Sequence, residues 1–176
     1  GKLLVAGNGG SASDSEHIVG ELMKSFMFER KIQKKYADEL VRLYGDEGVA
    51  LSKKLEGTLC SIPLTSMPAL STAFINDVDP ALTFAQMLYG YGREGDCFLG
   101  ISTSGNSKNI LYALQVAKAK GITTIGLTGE GGGKMKELCD ITIQVPDKET
   151  FMIQELHLPI YHCLCAMLEA DFFEEK

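Results

Sequence analysis

The sequence predicts an α/β fold in which helices cover both faces of a five-stranded parallel sheet, forming a three-layer, doubly wound sandwich. Two observations support this prediction: five short apolar runs rich in β-branched residues, and helical patterns between them. Continuous apolar runs are typical of strands that are covered on both faces. Because strands and helices alternate, right-handed crossovers are expected, and the strands should run parallel.

The elements follow in chain order. The expected strands are "KLLVAG", "GTLCSIPL", "CFLGIST", "ITTIGLTG" and "ITIQV", at residues 2–7, 57–64, 97–103, 122–129 and 141–145. After the third strand, an amphipathic helix ends at Gly121, a good C-terminal stop. A last long helix is expected over residues 153–173. Residues 1–176 fit a single domain, since this length lies in the usual range.

One segment does not fit the alternation of strands and helices. Residues 28–56 are charged and helix-prone, and "YGDEG" interrupts them. We expect two helices here, as an insertion between the first helix and the second strand. Two interpretations stay open: a solvated surface insertion, or a lid or subunit contact.

Composition excludes several classes of protein. The net charge is −6, which argues against nucleic acid as a partner, because a phosphate backbone binds a basic surface. No apolar run approaches the roughly 18 residues that span a bilayer, so no membrane association is expected. The odd number of cysteines, in apolar or strand-like settings, predicts reduced core residues and a cytoplasmic location: Cys60, Cys97, Cys139, Cys163 and Cys165.

Two polar turns follow predicted strands, where ligands bind in parallel sheets. The first, "GNGGS", lets the backbone approach a ligand and opens a helix whose N-terminus suits an anion. A plain turn with Ser11 or Ser13 as a helix cap is the competing interpretation. The second, "STSGNS" at residues 102–107, supplies more hydroxyls than capping requires and resembles a neutral phosphate cradle. A third turn, "LTGEGGGK", is interpreted as structural.

Histidine and carboxylate side chains fall on two predicted helices. His17 and Glu21 are four residues apart, so they share a helical face just after the first turn. Gln154, His157 and His162 lie on the last helix, where His157 is interpreted as a core residue because a lone histidine on an apolar helix usually is one. A His–Glu pair with a glutamine and a second histidine could hold zinc or another divalent ion.

Four stretches together resemble the sugar isomerase (SIS) domain family, and within it the phosphoheptose isomerases. They are "GNGGSASDSEHIVGEL", "GREGDCFLGISTSGNSKNI", "LTGEGGGKM" and "IQELHLPIYH". The resemblance implies interconversion of sedoheptulose 7-phosphate and D-glycero-D-manno-heptose 7-phosphate, for lipopolysaccharide or surface-glycan precursors. It also implies a cytoplasmic homotetramer with sites at subunit interfaces.

The resemblance also implies roles for individual residues. Glu21 and His162 match the catalytic acid/base pair, and His17, Glu21, Gln154 and His162 match a set that binds one zinc ion in some members. The remaining matches are substrate contacts, with Gln154 in both groups: Asn8, Ser11, Asp77, Ser102, Thr103, Ser104, Ser107 and Gln154.

The geometry of a straight helix limits which of the four expected metal ligands can come from one chain. Gln154 and His162 are separated by roughly 12 Å along a straight helix, so we expect one of them to come from a neighbouring copy of the chain. Two alternative functions within the same family are a sugar-phosphate sensor and an adaptor like the DnaA initiator-associating protein. Both are less favoured, because the sequence contains both Glu21 and His162.

Overall fold

A computed structural model describes residues 1–173 and has the predicted α/β architecture. Its sheet has five strands in the order β2-β1-β3-β4-β5, and every neighbouring pair is parallel. The strands are β1 (Leu3–Ala6), β2 (Ser61–Pro63), β3 (Cys97–Ile101), β4 (Thr123–Thr128) and β5 (Ile141–Gln144). Chain order reverses direction at β1, so the loops after β1 and β3 open a crevice where ligands bind in such sheets.

The helices alternate with these strands as the sequence predicts. They are α1 (Gly10–Met23), α2 (Lys34–Tyr44), α3 (Asp46–Lys54), α4 (Pro68–Asp77), α5 (Thr83–Tyr91), α6 (Lys108–Ala119), α7 (Met135–Leu138) and α8 (Thr150–Phe173), with a short 3₁₀ turn at Pro80–Leu82. The last helix begins one turn earlier than expected, and this places Gln154 inside its first two turns.

Two apolar clusters, one on each face of the sheet, form the core. Leu4 and Phe98 point to the face that α5, α6 and α7 cover, while Val5 and Leu99 point to the face that α1 and α8 cover. This alternation follows from the two-residue period of a strand. The result is that α1 and α8 lie side by side on one face, with polar side chains facing each other between them.

The second strand is shorter than the apolar run that predicted it. Gly57 and Leu59 do not pair with β1, because their N–H groups donate to carbonyls of Arg30 and Leu22. Residues 57–59 therefore form hydrogen bonds with the end of α1 and with the segment that follows α1. Only Ser61–Pro63 joins the sheet.

Helices α2 and α3 form a hairpin over the predicted insertion. They pack chiefly on each other, and α2 contains no buried residue. Lys31 and Glu56, at the two ends of the hairpin, pair as an isolated antiparallel bridge. The chain therefore leaves the domain and returns to it at one place.

Two expectations from composition can be compared with the structure. Within residues 1–173, no helix is long and apolar enough to cross a membrane. The cysteines are free, but the expectation that all are core residues is wrong, since Cys60 and Cys163 are exposed and only Cys165 is buried.

Candidate active site

A polar cleft of about 310 Å³ lies at the carboxyl ends of β1 and β3. The turn after β1, the turn after β3 and the first turns of α8 surround it. Most of the predicted substrate-contacting residues line this cleft, together with Gly9, Gly10, Ile101 and Thr150: Asn8, Ser11, Ser102, Thr103, Ser107 and Gln154. The two polar turns and the last helix thus meet at one site.

The first turn begins α1 without a side-chain cap. Gly9, with φ of 57°, occupies the N-cap position, so the competing expectation that Ser11 or Ser13 caps the helix is wrong. A Cβ atom on Gly10 would lie 2.4 Å from the Gln154 amide nitrogen. Glycine at this position therefore allows the Gln154 side chain to cover the turn and reach the cleft.

The second turn directs hydroxyls and a helix N-terminus into the cleft. The Ser102 and Ser107 hydroxyl oxygens are 2.8 Å apart, and Ser107 is the N-cap of α6 with no side-chain cap bond. The first N–H groups of a helix have no intrahelical partner, so they are available to an anion. Ser104 is exposed and outside the cleft lining, where its hydroxyl accepts a bond from the Asn106 N–H.

The third, glycine-rich turn braces the second. Gly129 donates to the Thr103 carbonyl at 3.0 Å, and Met135 donates to the Gly105 carbonyl at 3.1 Å. Gly105 has φ of 65°, and a Cβ atom there would lie 2.1 Å from the Gly132 oxygen. These contacts agree with the structural interpretation of this turn.

Asn109 does not line the cleft, but it contacts Asn8, which does, and no sequence pattern singled it out. Its side-chain amide exchanges two hydrogen bonds with that of Asn8, at 3.0 and 2.8 Å. The pair joins the first turn to the start of α6 and fixes the spacing between the two turns. Asn109 lies two residues after Ser107, on the first turn of the predicted helix, and this position could have indicated that it lies near the second turn.

About two to three turns further along α1 and α8 than the residues that line the cleft, His17, Glu21 and His162 form a cluster between the two helices. Glu21 Oε1 lies 3.1 Å from His17 Nε2 and 3.2 Å from His162 Nε2. Glu21 is buried, whereas both histidines are partly exposed. The four-residue spacing on α1 aligns His17 with Glu21, and the packing of α8 brings in His162.

Tyr161 contacts His17 of this cluster, and Asp14 in turn contacts Tyr161. The Tyr161 hydroxyl lies 2.9 Å from His17 Nδ1 and 3.4 Å from Asp14 Oδ1. Burial, followed by the charges of Asp14 and Glu21, raises the pKa of Tyr161, so its hydroxyl stays protonated. A hydroxyl bound to Nδ1 orients the His17 ring with Nε2 toward Glu21. No sequence pattern indicated a role for Tyr161 or Asp14.

The cluster has the donor set of a metal centre. One ligand atom from each of the three residues lies within 4.8 Å of the others. Two atoms bound to one zinc ion are at most about 4.4 Å apart, so only a small adjustment is needed. Two histidines and one glutamate are also a known set for catalytic zinc. Within the described residues, His162 Nε2 is buried and contacts Glu21 Oε1 without forming a hydrogen bond, so its lone pair is available to a metal ion.

Two expected contacts are placed elsewhere. His162 joins His17 and Glu21 within one chain and so needs no neighbouring copy, whereas a contribution of Gln154 from a neighbouring copy stays a prediction. Within one chain, Gln154 lines the cleft. Asp77 is exposed at the end of α4, where it accepts a bond from the Asn76 amide, and it does not line the cleft.

Comparisons with known proteins agree with this geometry. The sequence model of the SIS domain family matches residues 69–168, which is more than half of the chain. A phosphoheptose isomerase of Aneurinibacillus thermoaerophilus is 43% identical over 175 residues, 99% of this chain and 75% of the relative. Phosphoheptose isomerase 2 of Campylobacter jejuni is 44% identical over 172 residues, 98% of this chain and 73% of the relative.

Solved structures show the same likeness. The structure of a phosphoheptose isomerase from Neisseria gonorrhoeae superimposes with a TM-score of 0.76 at 30% identity, over 97% of this chain and 77% of that one. A phosphoheptose isomerase from Francisella tularensis gives 0.74 at 31% identity, over 96% and 76%.

Proposed function

This chain belongs to the SIS domain family, and we propose that it is an aldose–ketose isomerase that interconverts sedoheptulose 7-phosphate and D-glycero-D-manno-heptose 7-phosphate. The observation that carries this proposal is the juxtaposition of a hydroxyl-lined cleft with the His17, Glu21 and His162 cluster. The cleft suits the phosphate, and the cluster suits the proton transfers.

The cleft would hold the phosphate through neutral donors. Ser102, Thr103 and Ser107 offer hydroxyls, and the start of α6 offers backbone N–H groups. Such groups bind phosphate without a lysine, because each hydrogen bond to an anion is charge-assisted. Anchoring the phosphate end fixes the sugar and leaves its carbonyl end near α1 and α8.

Isomerisation moves a proton between C1 and C2 through an enediol. A base must remove a proton from carbon, and an acid must protonate the carbonyl oxygen. We propose that Glu21, buried between the two helices, acts as the base, and that His162, whose Nε2 lies 3.2 Å from Glu21 Oε1, acts as the acid. Burial, followed by the negative charge of Glu21, raises the pKa of the neighbouring Cys165 thiol to about 12, so that neighbour stays neutral.

We also propose one zinc ion per site, held by His17, Glu21 and His162. Bound zinc would polarise the substrate carbonyl, and because a nitrogen that ligates zinc carries no proton, the ion would then take the place of His162 in assisting the carbonyl oxygen. Glu21 faces the histidines with Oε1, and its Oε2 is the second oxygen of the same carboxylate. One carboxylate can therefore bind the ion and still offer an oxygen to a substrate proton.

A homotetramer in the cytoplasm completes the proposal. Helix α8 is apolar on several sides, and apolar side chains on its outer surface are exposed: Phe151, Leu158, Met167, Leu168 and Phe172. A helix that is apolar all round is normally buried, so a second copy of the chain is the expected cover. Sensor and adaptor functions are not favoured, because neither needs the acid/base pair.

The test is to incubate the purified protein with sedoheptulose 7-phosphate and other ketose phosphates and to follow aldose formation by NMR. Conversion in deuterated water should also incorporate deuterium at the carbon that is reprotonated. Absence of turnover with every ketose phosphate, with or without added Zn²⁺, would contradict the proposed function.

A further inference from the structure

Arg30 and Glu169 form a buried ion pair that no part of the proposed mechanism uses. Arg30 follows α1 and Glu169 lies near the end of α8, and their side chains are fully buried with Nε and Oε1 2.5 Å apart. Replacing a buried ion pair by apolar side chains is often neutral or stabilising. Stability alone is therefore a weak explanation for this pair.

The Arg30 guanidinium caps the end of α1 that carries Glu21. Its Nη2 donates to the Glu21 carbonyl at 3.0 Å and its Nη1 to the Leu22 carbonyl at 2.8 Å. The last carbonyls of a helix have no intrahelical partner, and a cation is favourable beside them. Arg30 therefore fixes the turn from which the Glu21 carboxylate projects.

Glu169 fixes the segment that follows this turn. Its carboxylate accepts from the Phe26 N–H at 2.8 Å and from the Met27 N–H at 2.5 Å. The Phe26 ring lies against the His162 imidazole, with ring centroids 5.8 Å apart. Burial opposes ionisation of Glu169, but these N–H groups and Arg30 outweigh it and lower its pKa, so the carboxylate is charged at neutral pH.

We infer that Arg30 and Glu169 are positioning residues that set Glu21 and His162 against each other across α1 and α8. Arg30 holds the backbone of Glu21, and Glu169 holds the backbone of Phe26, whose ring packs on His162. Neither residue lines the cleft or belongs to the histidine–glutamate cluster. The kinetic test of this inference rests on the proposed isomerase function.

A second ion pair in the same chain provides a matched control. Lys2 and Asp96 are 2.6 Å apart, and the Asp96 side chain is 4% exposed. This pair lies at the amino ends of β1 and β3, at the opposite edge of the sheet from the cleft. Breaking it should lower stability without moving Glu21 or His162.

The kinetic experiment compares Glu169→Gln and Arg30→Lys with the control Asp96→Asn, well below each melting temperature. We expect kcat for sedoheptulose 7-phosphate to fall on the order of 10-fold or more in the first two, as for residues that orient a site, with KM little changed. Asp96→Asn should keep kcat within about twofold of the unchanged protein. Equal kcat values for Glu169→Gln, Arg30→Lys and Asp96→Asn would overturn the inference.

A spectroscopic experiment does not depend on activity. The chain has only three histidines, so the imidazole C–H signal of His162 can be assigned by NMR with a His162→Asn variant. This signal should shift in Glu169→Gln and stay in place in Asp96→Asn. If the unchanged protein lacks isomerase activity, the proposed function fails, and the NMR comparison still decides the positioning role. An unshifted His162 signal in a folded Glu169→Gln variant would refute that role.

If Glu169→Gln does not fold, the double variant Arg30→Met with Glu169→Met removes both charges together and avoids an unpaired buried charge. We expect the double variant to fold, to have a His162 signal that is shifted from that of the unchanged protein, and to have a low kcat. A folded double variant with the original kcat and signal would show that the pair has only a structural role.

Discussion

The cleft and the histidine–glutamate cluster are neighbours, but they are built in different ways. The cleft consists of turns after two strands, where backbone N–H groups and short hydroxyl side chains face the ligand. The cluster consists of longer side chains from two helices that meet only through packing. Local sequence therefore determines most of the anchoring site, whereas tertiary contacts determine the reactive one.

This difference predicts different responses to mutation. Removing one of several hydroxyls leaves other donors to hold the phosphate, so binding should weaken by degrees. Removing Glu21 or His162 leaves no equivalent group among the described residues of the cluster, so turnover should be lost.

The largest effect is expected from the cluster itself. Glu21→Gln and His162→Asn should each lower kcat by at least about 100-fold, because each removes a general acid or base. Glu16→Gln is the matched control, since Glu16 is an exposed glutamate on the same helix that accepts hydrogen bonds from the Thr65 and Ser66 hydroxyls. Initial rates of aldose formation measure the effect. Turnover by either cluster variant at the rate of Glu16→Gln would show that the assignment is wrong.

The same two variants test whether one chain supplies both groups. Because Glu21 and His162 lie together within one chain, a co-refolded mixture of the two inactive variants should stay inactive. Recovered activity in the mixture would mean that the residues also meet across a subunit interface.

Metal removal should have the next largest effect. Chelation should lower kcat about 10-fold or more, and added Zn²⁺ should restore it, if the ion polarises the carbonyl. His17→Ala should weaken Zn²⁺ binding in calorimetry, whereas His157→Gln, a change in a buried histidine outside the cluster, should not. Full activity in a protein shown by elemental analysis to lack metal would rule out the zinc proposal.

A smaller effect is expected in the cleft. Ser107→Ala should weaken binding of a sugar phosphate roughly 10-fold, the usual cost of losing one hydrogen bond to a charged group. Ser104→Ala should weaken it less, because Ser104 is exposed outside the cleft lining. Calorimetry with phosphorylated and free sugars measures both. Equal affinity of the unchanged protein for the two kinds of sugar would argue against a phosphate cradle.

The smallest effect is expected from the α2–α3 hairpin. Replacing residues 32–55 by a short turn should preserve the fold, because Lys31 and Glu56 are already paired, and kcat should change by no more than a few-fold. Thermal unfolding and initial rates measure the outcome. A large loss of activity would favour a lid, and a change of mass in light scattering would favour a subunit contact.

The parts of the molecule that the sequence predicted are those encoded by neighbouring residues. The five parallel strands, the two helices of the hairpin and the hydroxyls of the second turn all follow from local patterns. The Asn8–Asn109 pair, the Tyr161 support and the Arg30–Glu169 pair were missed, because each joins residues more than a hundred positions apart. Arg30 and Glu169 are also residue types that are usually exposed to solvent. Their burial depends on tertiary packing, which the local sequence does not show.

The helical hairpin also makes the protein easy to modify. Gly45, between α2 and α3, has a backbone φ of 56°, and nothing lies within 4 Å of a Cβ atom built there. Because both ends of the hairpin return to one bridge, a dye, an affinity tag or a whole reporter domain inserted at this tip would remain outside the sheet. The hairpin tip is thus an attachment point at which the chain could be immobilised without a change to its sheet.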